Sequence, residues 1–381
     1  MRPIFLDNQS TTRCDPRVVK AMLPWLTEHY GNPHSAEHQM GHDAEAAVEA
    51  ARAQIAGLIC AEPREVVFTS GATESNNIAI KGAARHARRV GDPRRRVVTL
   101  ATEHKCVLES VADLAEDGFE PVVLPVRRDG TLDLERLTDA LETPTLLVSV
   151  MAVNNETGVI HDLAAIAALV KRAGALFHSD AAQALGKIPL DTGIGIDLMS
   201  ITAHKIYGPK GVGALYVRRR PRARVAALFS GGNQERGLRS GTLASHLIAG
   251  FGEACRIAAA EMQSDHAHIA ALRDRLATRL QRAIPGLVVN GSPHRIAGNL
   301  NITLPASTAA SFMAAHPELC LSTGSACSSA AIEPSYVLRA MGLSDEEAAR
   351  SLRIGIGRFT SPADIDHAAA AFAAFHNLQQ A

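Results

Sequence analysis

Asp197-Leu-Met-Ser-Ile-Thr-Ala-His-Lys205-Ile-Tyr-Gly-Pro-Lys-Gly-Val-Gly213 decides how this chain is read. Its apolar start, 198–201, reads as a short buried strand. Thr202, His204 and Lys205 come at the strand end, and a Gly/Pro loop follows them. An unpaired ammonium is costly to desolvate, and one good reason to place a lysine here is to spend its amine as a Schiff base. A second strand end stands upstream, Leu176-Phe-His-Ser-Asp180-Ala-Ala-Gln183. It carries an acid and an amide where the later strand carries a lysine.

Outward from these two strands, short apolar runs alternate with longer helical patterns. Strands are predicted at 66–69, 97–100, 122–124, 146–150, 176–178, 198–201 and 213–217, and helices at 45–59, 134–141 and 163–173. Buried strands separated by helices predict an α/β domain with a seven-stranded, mixed but mostly parallel sheet flanked by helices. Ligands then belong at the C-terminal edge of the strands. The polar residues cluster at those ends: Ser70-Gly-Ala-Thr73, Glu103-His104, Asn154-Asn155-Glu156, Asp180, Gln183 and Thr202 to Lys205.

Past about residue 240 the texture changes. Ile269, Leu272, Leu276, Leu280 and Ile284 recur at helical spacing, which predicts an amphipathic helix. Strand-like 287–290 and 299–303 follow, and the Ala-rich 368–374 reads as helix. The expected division is a large domain over 13–255 and a smaller α+β domain built from 1–12 and 256–381. The smaller one would carry a loop at about 320–333.

The chain has 381 residues with 39 basic and 39 acidic side chains. A balanced charge argues against direct nucleic-acid binding. Arg94-Arg95-Arg96 and Arg218-Arg219-Arg220 read as solvated loop charges. No apolar run reaches the length of a membrane span, and the N-terminus has no apolar leader stretch. The six cysteines form no CxxC pair and read as reduced thiols, so a cytoplasmic location is expected. His34, His38 and His42 share a four-residue spacing but have no carboxylate at matching spacing, and no metal site is expected.

An acid on one strand end and a lysine on a later one fit pyridoxal 5′-phosphate (PLP), with Lys205 for the aldehyde and Asp180 for the pyridine nitrogen. Ser70-Gly71-Ala72-Thr73 opens a helix after a strand. The amides of Ala72 and Thr73 and the Thr73 hydroxyl would suit a phosphate; an ordinary Ser/Thr cap is the plainer reading. His104 can stack on a pyridine face or be a hydrogen-bonded structural histidine. Asn155 and Gln183 can hold a ring oxygen and substrate. Cys327 lies in Leu321-Ser-Thr-Gly-Ser-Ala-Cys327-Ser-Ser-Ala-Ala-Ile-Glu-Pro334, among small residues instead of the bulky ones that pack a core thiol. Cys320 and Cys60 have such bulky neighbours and read as core. Arg353, inside the apolar run Ser351-Leu-Arg353-Ile-Gly-Ile-Gly357, suits a carboxylate: either a substrate's or a structural partner's.

Nine segments carry a wider resemblance. They are Leu6-Asp-Asn-Gln-Ser-Thr-Thr12, Gly31-Asn-Pro33, Phe68-Thr-Ser-Gly-Ala-Thr-Glu-Ser-Asn-Asn77, Thr102-Glu-His104, Val153-Asn-Asn-Glu-Thr-Gly158, His204-Lys-Ile-Tyr-Gly-Pro-Lys-Gly211, Glu235-Arg-Gly-Leu-Arg-Ser-Gly-Thr242, Ser322-Thr-Gly-Ser-Ala-Cys327 and Glu333-Pro-Ser-Tyr-Val-Leu338. Together they resemble the NifS-like cysteine desulfurases of the class V aminotransferase family, which have PLP fold type I. The resemblance implies removal of sulfur from L-cysteine, giving L-alanine and a persulfide on Cys327. A sulfur-acceptor protein would then take the sulfur, in iron–sulfur cluster assembly or other sulfur trafficking.

It also implies roles. Lys205 bonds the cofactor, Asp180 pairs with the ring nitrogen, Gln183 with the ring oxygen, and His104 stacks on the ring. Ala72, Thr73, Thr202 and His204 hold the phosphate, joined by Thr242 from the partner subunit of a homodimer. Asn155 and Arg353 orient the substrate carboxylate. Thr202 stands where many members have serine, and it keeps the hydroxyl. The rival readings are another class V enzyme, such as a selenocysteine lyase or an aminotransferase, and a non-catalytic sulfur relay.

Overall fold

A computed structural model describes residues 3–324 and 334–380. Cys327 lies outside the described residues, as does most of the expected 320–333 loop. The strands are β1 Ile4–Phe5, β2 Val66–Thr69, β3 Arg96–Leu100, β4 Glu120–Leu124, β5 Thr145–Ser149, β6 Leu176–Asp180, β7 Leu198–Thr202, β8 Gly213–Val217, β9 Val288–Val289, β10 Asn299–Thr303, β11 Leu319–Cys320 and β12 Ser351–Gly355.

Seven of them form one sheet in the order β2-β8-β7-β6-β5-β3-β4. β8 runs antiparallel to β2 and β7, and the remaining pairs are parallel. Helices cover both faces, so β2, β5 and β7 are buried at every residue. The edge strand β4 is partly exposed and tolerates Pro121, which has no amide hydrogen to donate. One buried histidine laces the middle of the sheet. His178 on β6 meets Ser149 Oγ on β5 through Nδ1 at 2.8 Å and Ser200 Oγ on β7 through Nε2 at 3.0 Å. Burial drives its pKa down to about 3, so the ring is neutral.

Because β8 is reversed, its first residue shares an edge with the last residues of its neighbours. Gly213 pairs with both Thr69 and Thr202. A Cβ on Gly213 would lie 2.6 Å from Ile201 O and 2.7 Å from Gly71 Cα. The turn that opens helix Ala72–Val90 therefore packs directly on a strand backbone, and only glycine allows that approach.

A second apolar cluster is built from Leu6, Leu272, Leu276, Leu280, Ile302, Phe312, Leu352, Ile354 and Phe372. Its sheet places β10 between β12 and β9, all antiparallel. Phe312 and Phe372 stack with centroids 3.9 Å apart. β1 pairs in parallel with β11, which brings the N-terminus into this cluster.

Helix Ser245–Ala283 is longer than the 269–284 periodicity predicts. Its first half carries Ile248, Phe251, Ala254 and Cys255 into the large cluster, and its second half carries Leu272 to Leu280 into the small one. Helix Gln39–Leu58 likewise starts earlier than expected, at the cap His38. Cys60 corrects the core reading: it is exposed, in a left-handed turn just past that helix. Arg94 and Arg96, expected as solvated charges, instead pair with Asp92 and Glu120.

Among the described residues, no helix is long and apolar enough to cross a membrane, and no group of His, Cys, Asp and Glu could hold a metal ion. His38 Nδ1 caps its own helix, and His42 Nε2 lies 2.8 Å from Ala36 O.

Candidate active site

The C-terminal edge of the large sheet opens onto a cavity of about 460 Å³. It gathers Ala72, Thr73, His104, Asn155, Asp180, Gln183, Thr202, His204, Lys205 and Arg353. They come from several strand ends and helix starts along that edge, with Arg353 from β12, so their convergence follows from topology. Thr242 is exposed and lies outside this cavity. Its loop is anchored by a buried ion pair, Arg52 Nη2 to Glu235 Oε1 at 2.7 Å, and Glu235 Oε2 also accepts the Phe68 amide at 2.7 Å.

At one end of the cavity stands the N-terminus of helix Ala72–Val90. Gly71 leads into it, and no side chain caps it. The first amides of a 19-residue helix therefore point toward the space beside Thr202 and His204, which is the chemistry of an anion site. His204 Nδ1 lies 3.1 Å from Thr11 Oγ1. Burial, with Lys205, Lys210 and Lys187 nearby, lowers its pKa to about 4, so it meets a ligand as a neutral ring.

At the other end Asp180 is buried at the tip of β6. Its Oδ2 accepts from Asn76 Nδ2 at 2.7 Å and its Oδ1 from the Ala182 amide at 2.9 Å. Asn76 Nδ2 also lies 3.1 Å from Cys106 Sγ, which is 3.0 Å from His104 Nδ1. His104 is the cap of helix Lys105–Asp113, and its Nδ1 accepts the Cys106 amide at 3.2 Å. With Nδ1 accepting the Cys106 amide, the ring proton sits on Nε2. Asn76 and Cys106 were not singled out in the sequence. Asn76 stands one helical turn after Ala72, and that spacing was the available signal.

Lys205 Nζ donates to the carbonyls of Gln9 and Ser10, the latter at 2.7 Å. Gln183 is oriented from two sides. Its Nε2 donates to Gln9 O at 2.8 Å, and its Oε1 accepts from Lys187 Nζ at 2.9 Å. Burial, with Lys205 and Arg353 close, lowers the Lys187 pKa to about 7. Arg353 is 2% exposed and already has a carboxylate partner, Asp7 Oδ1 at 2.8 Å from Nη2. Its Nη1 donates to Asn155 O and Gly324 O at 3.1 and 3.2 Å.

Two buried acids complete the wall. Glu103 is fully buried; its Oε1 accepts the Met151 amide at 2.6 Å, and burial holds its pKa well above the usual carboxylate range. Glu156 is raised by the same cause and accepts the Ser335 hydroxyl through Oε2 at 2.5 Å.

These residues fit PLP. Asn155 lines the cavity, and its buried Oδ1 has no hydrogen-bond partner among the described residues, so a ligand donor would satisfy it. A buried carboxylate, a lysine amine and an uncapped helix start stand around the same space, as a pyridinium, an aldehyde and a phosphate require.

The family description "Aminotransferase class-V" matches residues 4–367. The human "Cysteine desulfurase" is 52% identical over 96% of this chain and 80% of its own length. "Cysteine desulfurase, mitochondrial" from Arthroderma benhamiae is 53% identical over 96% of this chain and 73% of its own. A solved "NIFS-LIKE PROTEIN" superposes with a TM-score of 0.91 at 32% identity, covering 99% of this chain and 100% of that one. The organellar names among such relatives overturn the cytoplasmic location expected from the N-terminus and the cysteines. The chain belongs to the class V aminotransferase family, among its cysteine desulfurases.

Proposed function

We propose that this protein takes sulfur from L-cysteine and holds it as a persulfide on Cys327, for delivery to an acceptor protein of iron–sulfur cluster assembly or another sulfur route. The observation that carries the reading is the single cavity joining Lys205, Asp180, His104 and an uncapped helix start. Bound there, PLP supplies an aldehyde for the substrate nitrogen and an electron sink for charge released at Cα.

The chain's own residues do the rest. Ala72, Thr73, Thr202 and His204 hold the phosphate, and neutral His204 serves as a hydrogen-bonding group without adding charge. Asp180, held by Asn76 and the Ala182 amide, keeps a proton on the pyridine nitrogen. Gln183 and Asn155 face the ring oxygen and the substrate, and Arg353 with Asn155 orients the substrate carboxylate. Lys205 Nζ takes the proton from the substrate Cα and returns one. His104 covers the ring and offers the proton on Nε2.

The Cys327 thiolate attacks the substrate sulfur. Its new S–S bond forms as the substrate C–S bond breaks, and protons return to the carbon product to give L-alanine. No external oxidant is needed, because L-cysteine and one enzyme thiol become L-alanine and one persulfide. The same reading makes the protein a homodimer in which Thr242 reaches the partner's phosphate. It also divides the chain into a large unit over 13–255 and a small one from 1–12 and 256–381.

Cys327→Ser tests the reading. The variant keeps PLP and its absorbance change on adding L-cysteine, because neither uses the thiol. It makes almost no alanine, and mass spectrometry of the parent after one turnover puts the extra sulfur on Cys327. Normal alanine production by Cys327→Ser, or amino transfer to a keto acid by the parent, overturns it.

A further inference from the structure

One atom, Glu156 Oε2, touches both ends of the segment that carries Cys327. Ser335, just after that segment, donates its hydroxyl to it at 2.5 Å. Gly324, just before it, packs against the same oxygen so closely that a Cβ there would overlap it. Gly324 also has a φ of +113°, so glycine is required twice over. Arg353 Nη1 grips the Gly324 carbonyl from the other side at 3.2 Å.

The acid is fixed in turn. Asn154 Oδ1 accepts the Glu156 amide at 2.9 Å, and the Asn299 and Asn301 side chains donate to its carbonyl at 3.1 and 3.2 Å. Ser335 Oγ also accepts the Leu338 amide at 3.2 Å, so Glu156 is linked to the first turn of helix Tyr336–Ala340.

We infer that Glu156 is a positioning residue for the sulfur-transfer step: it fixes Gly324 and Ser335, which flank 325–333, at the cavity wall, and that step depends on both anchors being held. Glu156 lines the cavity, yet its Oε2 is engaged by Ser335 and Gly324. A carboxyl serves here because one compact oxygen accepts a strong hydrogen bond from Ser335 while presenting a flat face to glycine. The inference rests on the reading of Cys327 as nucleophile.

Holoenzyme variants Glu156→Ala, Glu156→Gln and Ser335→Ala separate the two claims. Glu156→Ala keeps the PLP absorbance and its response to L-cysteine, while alanine production and persulfide on Cys327 fall on the order of 100-fold, as loss of reactant placement demands. Glu156→Gln, which still offers an oxygen to Ser335, recovers most of that loss. Ser335→Ala falls about tenfold, the scale of one hydrogen bond to such a group, and adds nothing to Glu156→Ala in the double variant. Two results overturn the inference: Glu156→Ala forming persulfide at the parent rate, or losing its spectral response to L-cysteine as steeply as its turnover. If instead Cys327→Ser stays active, the reading beneath it has failed, whatever Glu156 does.

Discussion

Asn76 donates its side-chain amide to Asp180 Oδ2 at 2.7 Å, from a helix whose first turn faces the opposite end of the cavity. One helix thus serves both the anion end and the carboxylate end of a ligand. Hydrogen bonds to buried charges contribute more than neutral ones, about 1.5–3 kcal/mol each.

Asn76→Ala should therefore weaken the hold on protonated pyridine and lower alanine production roughly tenfold or more. Asn76→Asp should be worse, because a second acid against Asp180 disfavours ionisation of both. Titrating the apoprotein with PLP, followed by absorbance, checks the order parent, Asn76→Ala, Asn76→Asp. Equal affinity in all three would contradict it.

Thr242 supplies a test of shared sites. Lys205→Ala and Thr242→Arg homodimers should each be inactive. Subunits exchanged between them should regain up to about half the parent activity, because one site of each mixed dimer then has both residues intact. If Thr242 acts within its own subunit, no mixture recovers. A sedimentation measurement that finds an active monomer also excludes sharing.

Gly213→Ala should cost about 1–3 kcal/mol, the scale of overpacking, since its Cβ would sit 2.6 Å from Ile201 O. The strain falls on the Gly71 turn, so PLP affinity should drop with stability. Gly57→Ala is the control: nothing lies within 4 Å of a Cβ there, and a helical alanine should add up to about 1 kcal/mol. Urea midpoints of both variants decide.

His178 gives a pH signature. Its folded pKa of about 3 lies below the ordinary histidine value of 6.5, so the unfolded chain binds the extra proton. The stability it protects is complete above pH 6.5 and is lost as pH falls from there toward 3. The slope reaches about 1.4 kcal/mol per pH unit. His178→Gln should lower stability overall but flatten the profile between pH 6.5 and 4 by about one proton. Urea unfolding across that range measures it, and parallel profiles would refute the assignment.

The large sheet was legible because strands buried on both faces read as continuous apolar runs, as in Val66–Thr69 and Leu198–Thr202. Lys205 and Asp180 were legible because charges at the ends of such runs are conspicuous. The first half of helix Ser245–Ala283 was not. Beside Ile248 and Phe251 it packs through small residues: a Cβ on Gly252 would lie 2.6 Å from Ala51, and such contacts blur the hydrophobic period. Nor were pairs joined across the chain legible. Glu156 with Ser335 and Arg353 with Asp7 leave no local pattern, since each partner looks ordinary in its own segment. Arg353 had two open readings: Asp7 takes its Nη2, and the substrate role rests on the resemblance.

Helix Ser245–Ala283 has a mechanical consequence. Its 39 residues make a rod about 58 Å long, anchored by apolar side chains at both ends. A rod embedded in two cores resists shear between them, because sliding would strip apolar contacts at both of its ends. Bending is the softer mode, and long helices bend gently without losing their hydrogen bonds. Rocking, not sliding, is then the softer displacement of the small cluster.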